Sequence, residues 1–419
     1  MGNLTRRGWT AVDYAAFKAR CAEPHTVRWQ ANAYRSLAGG AENLLMPDIP
    51  ITGGQLTLDS SDPVRRKLTL QVGGGDAFAA TTAEDPLVPF GQFLKLWCRI
   101  DKSDGTWFPN ILMGIFPIKT YTYERPSQIA TVECTDLSGR VEEFLLLGKR
   151  GFKGKRVAAT IEDLVIEALP DRIVDLAAVD AAKTREISNY TADAGTGRWT
   201  VCTEIADRKA FETFFDYDGT VVVRNMITDS YDDVIMGVGP DIGTVTNPVA
   251  TIRDGEGGTL VGVTATVSRE GGCNYVRLNL TGTTTKRLKN QNKKKPGIET
   301  KKVTWADHVD AQAATAPVEW GGPFGYLPIV EPRDLQKVEA GEKADKLEEA
   351  QRILRRRRGV VRYLDFDVAG GYWVEPDDRV RIQYAGRAED HFVQSVAFDL
   401  SGKSATRMRT RAIAVRDPG

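Results

Sequence analysis

Alternating apolar and polar positions run through the first third of the chain and predict strands. Residues 27–34 and 54–59 come first, the second with Leu56 and Leu58 on one face. Residues 64–72 set Val64, Leu68, Leu70 and Val72 against Arg66, Thr69 and Gln71, the period of a half-buried strand. Residues 93–100, 107–123 and 128–134 continue the pattern, with Gly and Pro between them. Short strands at this spacing predict an antiparallel barrel or sandwich. Ahead of them, residues 10–21 predict a short helix with Val12, Ala15, Ala16 and Ala19 on one side.

The period then changes. Residues 136–147 predict a helix capped by Asp136, with Val141, Phe144, Leu145 and Leu147 as its stripe. A basic run, Lys149, Arg150, Lys153, Lys155 and Arg156, marks a boundary. A helix follows from Thr160, whose hydroxyl suits the cap; Leu164, Val165, Ala168 and Leu169 form its apolar side, and Pro170 stops it. Residues 204–210 predict another short helix. Segments 212–217 and 220–224 then flank Asp218-Gly219, the two-residue turn of a tight hairpin.

Strands resume at 260–267 and 274–280. Residues 286–302 are polar and basic, with Lys293, Lys294 and Lys295 before a Pro-Gly pair, and predict a loop with no core of its own. Residues 334–358 predict the longest helix, with Leu335, Val338, Leu347, Ala350, Ile353 and Leu354 along one side and Gly359 as its cap. Strands at 360–368, 379–384, 391–398 and 406–415 close the chain. The expected fold class is mainly β with an α+β insert: an N-terminal arm (1–25), a first β-barrel domain (26–156), an α/β insertion (157–235) and a second β-barrel domain (236–419) carrying the helix at 334–358 and the basic loop at 286–302.

Composition narrows the function classes. The 419 residues are 42% apolar and 27% charged, a globular mix, and 56 Lys plus Arg balance 56 Asp plus Glu. A free nucleic-acid binder is usually basic overall, whereas a near-neutral chain repels itself little and suits an assembly subunit. No apolar stretch is long enough to span a membrane, and residues 1–13 lack the apolar core of a secretory signal. Cys21, Cys98, Cys134, Cys202 and Cys273 are odd in number and widely spaced. They read as reduced thiols, several of them buried, in a chain that folds in a reducing cytosol.

No catalytic, cofactor or metal site is expected. His25, His308 and His391 have no ligand spacing, and no GxSxG elbow occurs. Gly73, Gly74, Gly75 and Asp76 lack phosphate-loop spacing and read as a turn. Asp216 and Asp218 read as turn or solvent-facing carboxylates; Glu142, Glu143, Glu348 and Glu349 read as solvated helix residues. Arg355, Arg356, Arg357 and Arg358 have three readings: favourable charge at a helix C-terminus, contact with an acidic partner, or contact with a phosphate backbone. Lys293, Lys294 and Lys295 divide the same way.

Six stretches, taken in order, carry a resemblance. They are ITGGQLTLD at 51–59 with VRRKLTL at 64–70, PFGQFLKLW at 89–97, MGIF at 113–116, ATVECTDL at 130–137, EIAD at 204–207 with FDYDGTV at 215–221, and VEPDDRVRI at 374–382. Together they resemble the hub protein at the tip of a phage tail, a family of baseplate hubs and minor tail protein hubs. The last stretch departs from the family pattern at Asp377, where glycine is usual. The resemblance spans residues 27–415 and implies two tail-tube-like antiparallel β-barrel domains in one chain. Three chains would then form a ring with pseudo-six-fold barrels that joins tail tube to tip and lets DNA pass. Implied partners are sister copies (a homotrimer), a distal tail or tail-tube protein, the tape-measure protein, and fibre, spike or lysin proteins of the tip. DNA contact would be transient and non-specific, and no membrane insertion is implied. The implied location is the virion tail tip, assembled in the host cytoplasm. Trp305, Trp320 and Trp373 suit either such contacts or the core. Two alternatives stand beside this reading. A tail-associated cell-wall hydrolase or peptidase would need a further catalytic domain, and a receptor- or carbohydrate-binding module would need clustered aromatics and carboxylates.

Overall fold

Strand parity decides which side chains of this protein meet. In the computed structural model, which describes residues 9–35, 44–74, 82–170, 175–187, 190–226, 248–268, 275–289, 298–312, 328–335, 346–347, 349–351, 353–354, 360–411 and 413–415, apolar residues of period two face inward along nearly every early strand. Helix α1 (Ala11–Cys21) precedes β1 (Val27–Tyr34), β2 (Leu44–Met46), β3 (Ile51–Asp59), β4 (Arg66–Gly73), β5 (Phe93–Ile100), β6 (Ile111–Glu124) and β7 (Ile129–Thr135). An α/β segment follows: α2 (Leu137–Glu143), β8 (Arg150–Gly151), α3 (Val157–Ala168), β9 (Leu176–Ala178), α4 (Asp180–Thr184), β10 (Thr191–Ala192), α5 (Arg198–Asp207), β11 (Phe211–Phe215) and β12 (Val221–Asn225). The remainder is β13 (Ala250–Arg253), β14 (Leu260–Ser268), β15 (Tyr275–Lys289), β16 (Ile298–Gln312), β17 (Pro328–Leu335), β18 (Val360–Val368), β19 (Arg379–Tyr384), β20 (Arg387–Asp399), β21 (Thr406–Thr410) and β22 (Ile413–Val415). The fold is mainly β, with large antiparallel sheets and an α/β segment between them.

One 14-stranded sheet holds strands from both ends of the chain, in the order β14-β18-β21-β20-β3-β4-β7-β6-β5-β1-β2, with β19 on β20, β13 on β19 and β22 on β18. The seam is β20 against β3, where Val396 lies opposite Leu58. Gly54 makes the neighbouring β3–β4 approach feasible: a Cβ there would stand 2.1 Å from the Thr69 carbonyl oxygen. A single core runs beneath this sheet, drawing Leu68, Phe116 and Val132 from the first half and Phe366, Val380 and Phe398 from the second. The α/β segment has its own core around Phe152, Ile161, Trp199 and Phe215. A third, smaller core joins Val276, Leu278 and Leu280 of β15 to Ala350 and Leu354.

Several expectations change. Helix α1 does not bury the side holding Val12 and Ala15; it buries Phe17 and Cys21, so the N-terminal segment is part of the main core. Helix α2 ends at Glu143, leaving Leu145 and Leu147 exposed, because its apolar contacts end with Val141. Thr160 lies inside α3, and its hydroxyl donates to the Arg156 carbonyl rather than capping the helix. The hairpin turn has three residues between Asp216 and Thr220, and only Gly219 takes a positive φ, of 83°. This is a type I turn closed by a glycine bulge rather than a two-residue turn. Lys286 to Lys289 and Ile298 to Lys302 are paired strand positions, not loop; residues 290–297 lie outside the described residues. Asp334 and Leu335 end β17 instead of starting a helix; within 334–358 the described helical positions are 346, 347, 349–351, 353 and 354. Trp373 is a core residue, Trp320 lies outside the described residues, and Cys21, Cys98, Cys134 and Cys202 are buried free thiols.

Phe17 is fully buried, with its ring 5.1 Å from Trp9, 5.5 Å from Phe108 and 5.4 Å from Trp373. Phe17→Ala is expected to cost ~3–5 kcal/mol, read as a lower urea midpoint at unchanged slope. An unchanged midpoint would show that α1 is not seated in the core.

Candidate functional site: a buried ion cluster

Arg66 begins β4 at the same parity as Leu68 and Leu70, so the strand carries its charge inward, where it is 4% exposed. Its guanidinium donates to the Met113 carbonyl at 3.1 Å and to Glu375 at 2.5 Å, and it stands 3.6 Å from Asp216. Arg65, on the neighbouring position, donates to Asp377 and to Glu212, both at 2.8 Å. Arg224 on β12 donates to Glu212 at 2.9 Å and also reaches Asp377, as does Arg411. The Phe214 ring sits 3.8 Å from the Arg65 guanidinium carbon and 4.8 Å from that of Arg224. Four guanidinium groups thus meet four carboxylates where β4, the β11–β12 hairpin and the turn before β19 converge.

Asp377 is the hub of this cluster. Its φ is 74°, the left-handed region where a side chain costs energy and glycine does not. Pro376 precedes it, and Asp378 N–H donates to the Glu375 carbonyl at 3.1 Å, so the turn is of type II with Asp377 at its third position. The turn geometry of a glycine is therefore kept, with a carboxylate added. Burial pushes the Asp377 carboxyl up, but the charges of Arg411, Arg65 and Arg224 more than reverse this and hold it far below the usual carboxylate range. Asp216 moves the other way: burial and then the nearby Glu375 raise it, against the pull of Arg66. Burial likewise raises Asp136, which accepts from the Ser138 and Arg66 backbone N–H groups.

An open groove of about 580 Å³ lies against the cluster, lined among others by Ser61, Asp62, Arg65, Glu212, Thr213 and Arg411. Its acids and arginines are engaged in ion pairs, as with Asp62 and Lys67 or Glu212 and Arg65. Such an arrangement holds elements in register; it offers no poised acid and base facing a common point. Among the described residues, no group of three or more His, Cys, Asp or Glu is placed to hold a metal.

No protein-family model matches the chain, and no curated protein matches it. Solved structures do. A tail protein from Neisseria meningitidis MC58 superposes with a TM-score of 0.56 at 14% identity, over 92% of this chain and 96% of that one. The 43 kDa tail protein of prophage MuSo2 from Shewanella oneidensis superposes with a TM-score of 0.52 at 11% identity, over 91% and 98%. This chain has the tail-protein fold.

Within that fold, the terminal strand β14 pairs with β18 alone among the described residues. Its nine residues, LVGVTATVS, carry no charge and no proline, and Val261 and Val267 are 66% and 59% exposed. A bulge at Leu260–Gly262 interrupts its ladder with β18. Of the site residues expected from sequence, Lys293, Lys294, Lys295, Arg355, Arg356, Arg357 and Arg358 all lie outside the described residues. The ion cluster was missed. Asp216 is a half-buried member of it, not a solvent-facing carboxylate, because the hairpin packs onto Arg66. Glu142 is not solvated either: it accepts from the Thr200 N–H and hydroxyl, both at 2.7 Å, and caps α5. Glu349 is buried against Lys346. Two signals were present in the sequence: Arg66 falls on the apolar parity of β4, and Asp377 stands at a glycine position.

Two outcomes are expected. Asp377→Gly would relieve the backbone, worth up to ~1 kcal/mol if the residue were only a turn former; because it takes the shared carboxylate from buried Arg65 and partly buried Arg224 and Arg411, a net loss of roughly 2–4 kcal/mol is expected instead. The sign of the shift in the urea midpoint decides. The second outcome concerns acid. Hydrogen bonds from Arg150 to Glu167, and from His391 and Arg362 to Glu389, lower both carboxyls to about 2. Their stabilisation is full above the ordinary carboxylate range and is lost as pH falls through about 2. Urea midpoints should therefore fall across the whole span from the ordinary carboxylate range down to about 2, and Glu389→Gln should flatten that fall.

Proposed function

We propose that this chain is a structural, non-catalytic component of a phage-type tail, and that it serves as the hub of the tail tip. The observation that carries this reading is the match of fold over nearly the whole of this chain and of two tail proteins. In this reading the strands before and after the α/β segment form two tube-like barrel units. Three copies close a ring that continues the tail tube, presents three-fold symmetry to the tip components, and leaves a passage for DNA. Its neighbours would be a tube or distal tail protein, the tape-measure protein in the lumen, and fibre, spike or lysin proteins at the tip.

The edge position of β14 among the described residues supports assembly. An uncharged nine-residue edge with exposed valines is a template for another strand, and soluble monomers normally blunt such edges. A permanent ring would bury roughly 2,000 Å² or more per interface.

Sedimentation velocity and native mass spectrometry test the reading. The expected species is three times the 46.1 kDa chain mass. Val267→Lys places a charge on the exposed edge and is expected to weaken association by about tenfold or more, roughly 1.4 kcal/mol, with the unfolding midpoint nearly unchanged. A strict monomer at every concentration, or cleavage of cell-wall material by the isolated chain, would overturn the hub.

A further inference from the structure

The β15–β16 ribbon has a part that the tail-tip reading does not use. Among the described residues, parallel pairing with β17 runs along β15 as far as Gly282, opposite Leu335. Beyond it, among the described residues, Thr283 to Lys289 pair with Ile298 to Thr304 and with no third strand, seven positions each. At about 3.4 Å per residue this stretch is ~24 Å long. An isolated two-stranded ribbon is marginal in water unless something covers it.

Its composition is one-sided. Between residues 286 and 302 the sequence holds eight Lys and Arg against Glu299 alone, in a chain whose net charge is zero. Five of these cations, Lys286, Arg287, Lys289, Lys301 and Lys302, occupy described register positions; the three lysines of residues 290–297 lie outside them. Lys286 stands directly opposite Lys301, a like-charge pair that works against the hairpin. Lys302 faces Thr285, and Arg287 faces Thr300, so no carboxylate sits across from any of these cations. Apolar positions here are few (Leu288, Ile298 and Val303), and no aromatic residue lies between 283 and 304. A protein–protein hot spot is built on aromatic anchors and buried arginines within an apolar centre. This ribbon has the opposite make-up: closely spaced cations with little to bury.

We propose that the distal half of this ribbon binds duplex DNA through its phosphate backbone, without sequence preference. A two-stranded antiparallel ribbon fits the major groove of B-form DNA. Cations spaced along both strands then meet phosphates and release condensed counterions, which supplies the free energy of contact. The phosphates also neutralise the opposed Lys286 and Lys301. This inference does not rest on the tail-tip reading, since the ribbon belongs to a single chain.

The test is fluorescence anisotropy of a short mixed-sequence duplex DNA titrated with the full chain at several salt concentrations. With five phosphate contacts, log K should fall against log salt with a slope of about −4 to −5. The pair Lys301→Gln and Lys302→Gln should reduce that slope by about 2, and it leaves no like-charge pair at Lys286, so the hairpin is not weakened. Reversal of all five cations to Glu should lower affinity by about 100-fold or more at low salt. Reversal of Lys153 and Lys155, in the other basic run, should leave the slope unchanged. Absence of binding by the wild-type chain at low salt overturns the proposal, as does a slope that the ribbon substitutions do not move. So does ribbon-dependent binding of polyglutamate with no binding of DNA, which would assign the ribbon to an acidic protein instead. A chain that is monomeric yet binds DNA through the ribbon would leave this inference standing and remove the hub.

Discussion

Asp377 is buried, ionised and held in a left-handed backbone conformation, and arginines from three separate parts of the chain converge on it. A carboxylate in that place would be untenable by itself, because desolvation of a lone charge costs several kcal/mol. Asp377 in turn is the acceptor that Arg65, Arg224 and Arg411 share, Arg65 and Arg224 also holding Glu212. The buried Asp377 carboxylate therefore requires its arginines, and that requirement can be met only when the β4 end, the β11–β12 hairpin and the turn before β19 are docked in one arrangement. Buried ion networks are weak sources of net stability but exacting about geometry, and here the geometry in question is how the α/β segment sits on the large sheet.

The two halves of the β structure are joined differently. The β20–β3 ladder continues the sheet across the seam, and one apolar core lies beneath both halves. That joint is hydrophobic and backbone hydrogen-bonded, so it tolerates substitution of single surface groups. The α/β segment has a separate core and meets the sheet through polar contacts: the ion cluster, and the Trp199 indole N–H donating to the Pro63 carbonyl at 2.8 Å. A joint of this kind concentrates its sensitivity in a few residues.

The outer features bear on the proposed assembly role. Among the described residues, strand β14 lies at the sheet edge with exposed valines, and the distal β15–β16 ribbon carries charge with few apolar positions. These suit different partners, one a strand and the other a polyanion. A scaffold that positions two unlike surfaces around a continuous sheet is consistent with a tail component, and the paired state of the acids beside the groove is consistent with the same role.

Sequence alone determined the strands whose apolar residues alternate, because period-two burial is a local property: residues 93–100, 360–368 and 379–384 form strands as the pattern requires, and the order of the motifs pointed to the tail-protein fold. It also contained, unread, the inward parity of Arg66 and the aspartate at a glycine position. What it could not determine was partnership. Whether Arg66 is an error or a ligand for Glu375 depends on a residue some three hundred positions away; whether Lys286 lies in a loop or a strand depends on its pairing with Lys301; and whether α1 buries Ala15 or Phe17 depends on where Phe108 and Trp373 lie. Those are energies of contact between distant segments, and only the folded chain brings the segments together.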